Sequence, residues 1–577
     1  MSYERLVSIN DEWAAAESER QVTDPSSRYY GGVADSATGI PWPSHMNTPK
    51  VMAIWGAALV NPDSVYYRNG PLLERLELAA EFMLRFQHED GTVSPGWTNY
   101  HSPPDTAFVV VGLTQLYRLL IGHPWEELNR TAASLRLFLE RTVPAMLTGG
   151  CHTPNHRWVL TAALGSLYRL FGEEALKDRA AQWLAEGIDI TPDGEWTERS
   201  NGIYNTVSNI MLCHSAATLD RPELYEPVRR NLKMMLYLVH PGGEVVTDYS
   251  GRQDFGQIYK MDEYYSAYKL MAKLDNDPVF EAMAAYIGEG MTHPGPLPNN
   301  ALLGHLLHPD WRHQGEARPE LLPDRYRIVI NGTFDREALL NRMEGAGHHG
   351  RIFHSSLHTE AGAPVARIRD KGLSATVMTE APSFFALRHN GVRLLGVQLA
   401  STFGPGTIKF QRLEQLESGY RLTAAAEKGY YGPIPAASGT SPWYLLPHQL
   451  RPLTHSQRLE VTVETVETAA GWDLRIRAAS PEDVVTQIVF LFGEEVDISG
   501  GSWLPDSGDG KARIWRDQTI RCSCGDEWIE LTGAFLQHYA DGIRGAEVPA
   551  NCQAVKVNLV TPIDATFTLR LSGRPGA

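Results

Sequence analysis

Apolar residues recur every three to four positions from about residue 49 to residue 290, the spacing of one face of a helix. Leu72, Leu76, Ala79, Met83 and Phe86 form one stripe, and Phe108, Val111, Leu116 and Leu119 form another that stops at Gly122. Further helices are predicted over 125–146, 155–171 (closed by Gly172), 173–186, 201–219, 222–239, 262–274 and 278–288. Short turns and no intervening strands make these sequential antiparallel hairpins, and with no repeat of fixed period the pattern favours a toroid over a solenoid. Past the Pro- and Gly-rich run 294–298 the period changes. From Arg325 onward, short β-branched runs alternate apolar and polar residues, as in 325–331, 391–399, 459–466, 472–477, 484–492, 554–560 and 565–571. The predicted fold is multidomain: an N-terminal (α/α) toroid over residues 1–320, then an antiparallel β-sandwich over 321–577.

Composition narrows the function. With 52 Lys and Arg against 68 Asp and Glu, the net charge of −16 argues against nucleic acid as a partner, which needs a basic footprint. No apolar run approaches a membrane span. The first twenty residues carry no apolar signal segment, and five cysteines (Cys151, Cys213, Cys522, Cys524, Cys552) suit a reducing compartment, so a cytoplasmic location is expected. A homo-oligomer is compatible with all of this.

Candidate chemistry gathers at three inter-helix junctions, which in a toroid surround the mouth of the central cavity. The first holds Trp97, Asn99, Tyr100, His101 and Asp105. Asp105, just after Pro104, fits a helix start. The second is Cys151-His152-Thr153-Pro154-Asn155-His156-Arg157-Trp158, where two histidines and an arginine within six residues are hard to treat as packing, because buried cations need partners. The third runs from Asp193 through Glu195, Glu198 and Arg199 to Tyr204.

The order of these features resembles the heparinase II/III-like and alginate-lyase-like polysaccharide lyases. In that family an Asn-Asn-His sequence opens an inner helix, and a Pro-Asp-Gly … Glu-x-Ser-x-x-Tyr stretch follows about fifty residues later. Here Pro154-Asn155-His156 is followed by Thr191-Pro-Asp-Gly-Glu-Trp-Thr-Glu-Arg-Ser-Asn-Gly-Ile-Tyr204, with His156 and Tyr204 48 positions apart and Pro154 in place of the first Asn. The resemblance implies a toroid followed by a β-domain, and β-elimination on a uronate-containing oligosaccharide or polysaccharide. Asn155, assisted by Arg199 or Arg157, would neutralise the substrate carboxylate, and His156 and Tyr204 would move protons. Tyr100, His101, Asn99, His152, Arg157, Trp97, His354 and His358 would line the substrate path. Family members carry a His-x-His-x-Asp strand in the β-domain; the run His348 to Glu360 lacks the Asp, so no metal and no cofactor are expected. In the cytoplasm such an enzyme would meet oligosaccharides, which favours exolytic cleavage. Two alternatives use the same fold: a toroid glycoside hydrolase working with Asp105, Asp193, Glu195 or Glu198, and a non-catalytic carbohydrate-binding protein.

Overall fold

The structure is a computed structural model that describes residues 3–312, 318–347, 352, 355, 357–435, 442–504, 512–546, 548–549 and 551–574. Among these residues twelve α-helices precede the first strand. Thr48–Val60, Pro103–Ile121, Pro154–Phe171, Tyr204–Leu219, Tyr265–Asp275 and Ala301–Leu307 each pack on the next, and the last returns to the first, closing an inner ring. Tyr3–Glu19, Gly70–Phe86, Asn129–Thr148, Glu174–Ala185, Tyr225–Met235 and Pro278–Gly290 lie outside it, so inner and outer helices alternate along the chain. This is the (α/α) toroid.

Burial follows the alternation. Inner helices such as Thr48–Val60 are buried on nearly every face, whereas Tyr225–Met235 confines its buried residues to one stripe. The helix Tyr3–Glu19 was not among the predicted ones. Its inward stripe of Leu6, Ile9 and Ala14 is interrupted by Asn10 and Glu17, both buried, and Asn10 donates to the carbonyl of Ile54 across 3.1 Å.

The second half is a single 16-stranded sheet curled onto itself, fourteen of its strands lying along one path among the described residues. One layer runs from Arg325–Ile330 through Val365–Asp370, Leu373–Met378, Ser383–His389, Val392–Ser401 and Val485–Gly493 to Cys552–Val560. The long strand Ala512–Cys524 crosses from this layer to the other, which continues through Glu527–Thr532, Ile563–Leu571, Gly471–Ala478, Leu453–Glu467 and Gly419–Tyr431 to Arg412–Leu416. Rings meet between the layers: Phe385 lies 5.3 Å from Trp472, and Phe490 lies 5.5 Å from Phe567. Two differences from the sequence reading stand out. At the crossover, 512–514 pairs parallel with 554–556, because a strand that changes layers meets its new neighbour in whatever direction it arrives. A helix, Arg336–Gly345, also interrupts the strands.

The two halves are pinned by polar contacts. Asp193 accepts from the Asn331 N–H at 2.6 Å, Glu195 from the Gly362 N–H at 2.8 Å, and Asp248 from the Thr376 hydroxyl at 2.6 Å. No helix among the described residues is long and apolar enough to cross a membrane.

Candidate functional site

Four inner helices begin on one side of the ring, and their first turns meet at a cavity of about 1090 Å³. His45 and Met46 come just before Thr48–Val60; Asp105 and Phe108 open Pro103–Ile121; Asn155 and His156 open Pro154–Phe171; Tyr204 and Val207 open Tyr204–Leu219. Aligned backbone dipoles give each of these helix starts a partial positive charge. Trp97, Asn99, His152 and the Gly251-Arg252-Gln253 turn complete the helical wall, and Leu357, His358 and Glu360 close the cavity from the second half. The two halves approach closely here: a Cβ on Gly251 would stand 2.5 Å from the Glu360 carboxylate.

A chain of contacts crosses the floor. Asn155 donates its backbone N–H (2.9 Å) and its side-chain amide (2.7 Å) to Glu198, which caps the start of the Pro154–Phe171 helix and pairs through its other oxygen with Arg252. The Arg252 guanidinium lies over the Tyr204 ring, 4.3 Å from its centre. Buried Asp254 fixes this arrangement, accepting from the Ser250 hydroxyl (2.7 Å), the Ser200 hydroxyl (2.8 Å) and the Gly202 N–H (2.8 Å). The loop carrying Arg252 is thereby tied to the turn that precedes Tyr204.

His156 is buried, its ring 4.7 Å from that of His152, and its Nδ1 has no hydrogen-bond partner. Burial, reinforced by His152, pulls its pKa down to about 3, so the imidazole is neutral. His45, stacked on Phe108 at 4.3 Å, is held at about 4 by burial against the pull of Asp105. His358 Nδ1 meets Glu360 at 3.0 Å. Burial opposes ionisation of Glu360, yet the His358 hydrogen bond holds its carboxyl below the ordinary range.

The structure thus brings Trp97, Asn99, His152, Asn155, His156, Tyr204 and His358 to one cavity. Four expected residues sit elsewhere. Arg199 is fully buried; it takes a positive φ of 48°, which turns it away from Tyr204, and donates to the carbonyls of Thr379 and Ala363 at 3.2 Å while its guanidinium covers Tyr249. It joins the halves and does not line the cavity. Arg157 faces an adjoining pocket of about 370 Å³ that shares His152, Thr153 and His358 with the cavity, paired with Asp189 at 2.8 Å and stacked on Trp158. Tyr100 is 70% exposed, and His101 pairs with Asp90 at 2.9 Å and stacks on His88, both off the cavity wall. His354 lies outside the described residues.

Of the carboxylates named for a hydrolase, Asp193, Glu195 and Glu198 are spent on Asn331, on Gly362 with Arg199, and on Asn155 with Arg252. Asp105 reaches the wall while completing a helix cap with Ser102 and accepting from Asn99 at 2.9 Å. Sequence reasoning missed Arg252, Glu360 and His45. The signal for Arg252 was the long irregular stretch between the helices ending at Met235 and starting at Tyr265, since such segments inside a compact fold tend to be functional. Among the described residues no cluster of three His, Cys, Asp or Glu has metal-binding geometry.

No protein-family model matches the chain, and no curated protein matches it in sequence. Solved structures do match in fold. Heparinase III superposes with a TM-score of 0.52 over 99% of this chain and 85% of its own, at 11% identity. The chondroitin AC lyase of Streptomyces coelicolor A3, solved with chondroitin sulphate, gives 0.51 over 99% and 80%, at 13% identity. The chain shares the fold of polysaccharide lyases. A Paenibacillus xanthan lyase gives 0.50 at 10% identity, over 98% of this chain and 56% of that longer lyase. Identities this low speak to the toroid and β-domain and leave the chemistry to the site itself.

Proposed function

We propose that this protein is a glycan lyase that cleaves a uronate-containing oligosaccharide by β-elimination, acting from a chain end. The observation that carries this reading is Tyr204, a phenol on the cavity floor with the Arg252 cation over its ring and the neutral imidazole of His156 on the same wall. A base removes the C5 proton of the uronate, the C4–O bond breaks with its electron pair going to oxygen, that oxygen takes a proton, and a C4–C5 double bond forms without water. The barrier lies in the charge that collects on the C5 carboxylate as an enediolate, and preorganised donors lower it. Arg252 and the convergent helix starts supply that positive potential. Asn155 acts one step back, since its amide is committed to Glu198 and so positions Arg252. Tyr204 and His156 serve as the proton-transfer pair, each worth on the order of 10²–10⁴ in rate.

The wall also favours a lightly charged glycan. Among the described lining residues Arg252 is the one arginine or lysine, already facing Glu198, while Asp105 and Glu360 add negative charge. Threonine, asparagine and glutamine side chains (Thr98, Asn99, Gln253) offer partners for hydroxyls. A wall with a single such cation offers no separate partners for several sulfates, so we assign unsulfated uronates.

Ultraviolet absorbance of the unsaturated product tests this, using unsulfated and sulfated uronate oligosaccharides side by side. Absorbance should rise with an unsulfated member and stay flat with highly sulfated ones. Loss of absorbance from a pre-formed unsaturated uronide would replace the lyase by a hydrolase.

A further inference from the structure

The strands Gly419–Tyr431 and Leu453–Glu467 pair along their length, and the end of the first together with the described part of the chain joining them carries Tyr430, Tyr431, Trp443, Tyr444, Leu445 and Leu450 out into solvent. Their exposures run from 54% to 93%, the highest being Tyr444. This arm has internal order. Arg451 donates to the Gly432 carbonyl at 3.0 Å and to His448 at 3.1 Å, and both Arg451 and His448 pack against the Trp443 ring. An apolar patch held in place by its own contacts marks an interaction surface.

The composition of the arm identifies the occupant. Residues 428–459 contain Lys428, Arg451, Arg458, His448 and His455 and no Asp or Glu; Glu427 and Glu460 flank the stretch, and Arg458 pairs with Glu460 at 2.7 Å. Three of the 52 basic residues and none of the 68 acidic ones lie there, leaving 49 against 68 in the rest of the chain. We propose that this arm docks on the acidic surface of a second copy of the same chain, making the protein a homo-oligomer. Leu445 and Leu450 pack in protein interfaces and offer no ring for stacking on a sugar. Trp443, which could stack on one, has Arg451 and His448 against its ring. Aromatic side chains bury roughly 150–250 Å² each, so four aromatics and two leucines reach about 800 Å², the share of one partner in a standard interface.

Sedimentation velocity of the full chain, at low micromolar concentration and rising salt, tests the proposal. The wild type should sediment as a dimer or larger and shift toward monomer as salt screens the charge pairing. Tyr444→Asp with Leu450→Asp should weaken association at least about tenfold, with an unchanged unfolding temperature confirming the fold. A wild type that stays monomeric at tens of micromolar overturns the proposal, as does a double variant that associates like the wild type. If the wild type is monomeric yet is retarded in gels cast with an anionic polysaccharide, and the double variant is not, the arm is a glycan-binding surface and the self-association reading is wrong.

Discussion

Arg252 and Arg199 are each paired with a buried glutamate and each lie over a tyrosine ring, at 4.3 and 4.8 Å, yet they belong to different parts of the molecule. Arg252 keeps 15% of its side chain exposed and lines the cavity; Arg199 has none exposed and gives two of its nitrogens to backbone carbonyls of the second half. A guanidinium has five donors in a rigid fork. Where the surroundings consume them it is a rivet, and where one face stays open its charge is available to a ligand.

The sharpest way to test the catalytic side of this contrast is Tyr204→Phe. Turnover should fall at least about a hundredfold with KM little changed, while stability moves by only about 1 kcal/mol, the scale of one hydrogen bond. Arg252→Gln should follow, costing roughly tenfold to a hundredfold in kcat/KM and less stability than the loss of Arg199, because Glu198 keeps its two hydrogen bonds from Asn155; steady-state kinetics and calorimetry read both. Arg199→Gln should do the reverse. Leaving Glu195 buried without its cation should cost about 3–5 kcal/mol, whereas turnover per folded molecule stays within about twofold. Equal kinetic damage from the two arginine variants would erase the distinction.

Acid provides a milder test. Burial pulls His156 from 6.5 in an unfolded chain to about 3. The unfolded state therefore binds the extra proton first, so the stability linked to this histidine is complete above pH 6.5 and is lost as pH falls from there toward 3. His156→Gln should show a shallower decline of unfolding temperature over that window. The smallest effect is expected from Asp105→Asn: loss of about 1 kcal/mol from a weakened helix cap and turnover within about threefold of wild type. If Asp105→Asn is inactive while Tyr204→Phe works normally, the hydrolase alternative takes over.

Regular burial was what made the fold legible. Helices such as Pro278–Gly290 bury an unbroken apolar stripe, and their boundaries follow from it, as do most strands of the second half. Tyr3–Glu19 was hidden because its inward face includes the polar residues Asn10 and Glu17, the first bonded to the distant Ile54 carbonyl and the second paired with Arg20 just past the helix end. The site was legible where chemistry sits on helix starts, as with Asn155, His156 and Tyr204. It was illegible where backbone shape decides. A helix expected from Asn201 would have kept Arg199 beside Tyr204, but the helix begins at Tyr204, and the left-handed turn at Arg199 sends that side chain to the opposite layer. Arg252 had no periodicity to announce it, and the hydrogen bonds of Asp254 together with its pairing to Glu198 bring it beside Tyr204.

The polar pins between the halves bear on modular exchange. Asp193, Glu195, Arg199 and Asp248 each seek a particular backbone or hydroxyl group on Asn331, Gly362, Ala363, Thr376 or Thr379. A toroid grafted onto an unrelated β-domain would bury these groups unanswered, at about 1–3 kcal/mol each, a loss on the order of an ordinary domain's whole stability. The helical half is thus a poor candidate for shuffling, and a workable chimera has to carry the facing edge of the sheet along with it.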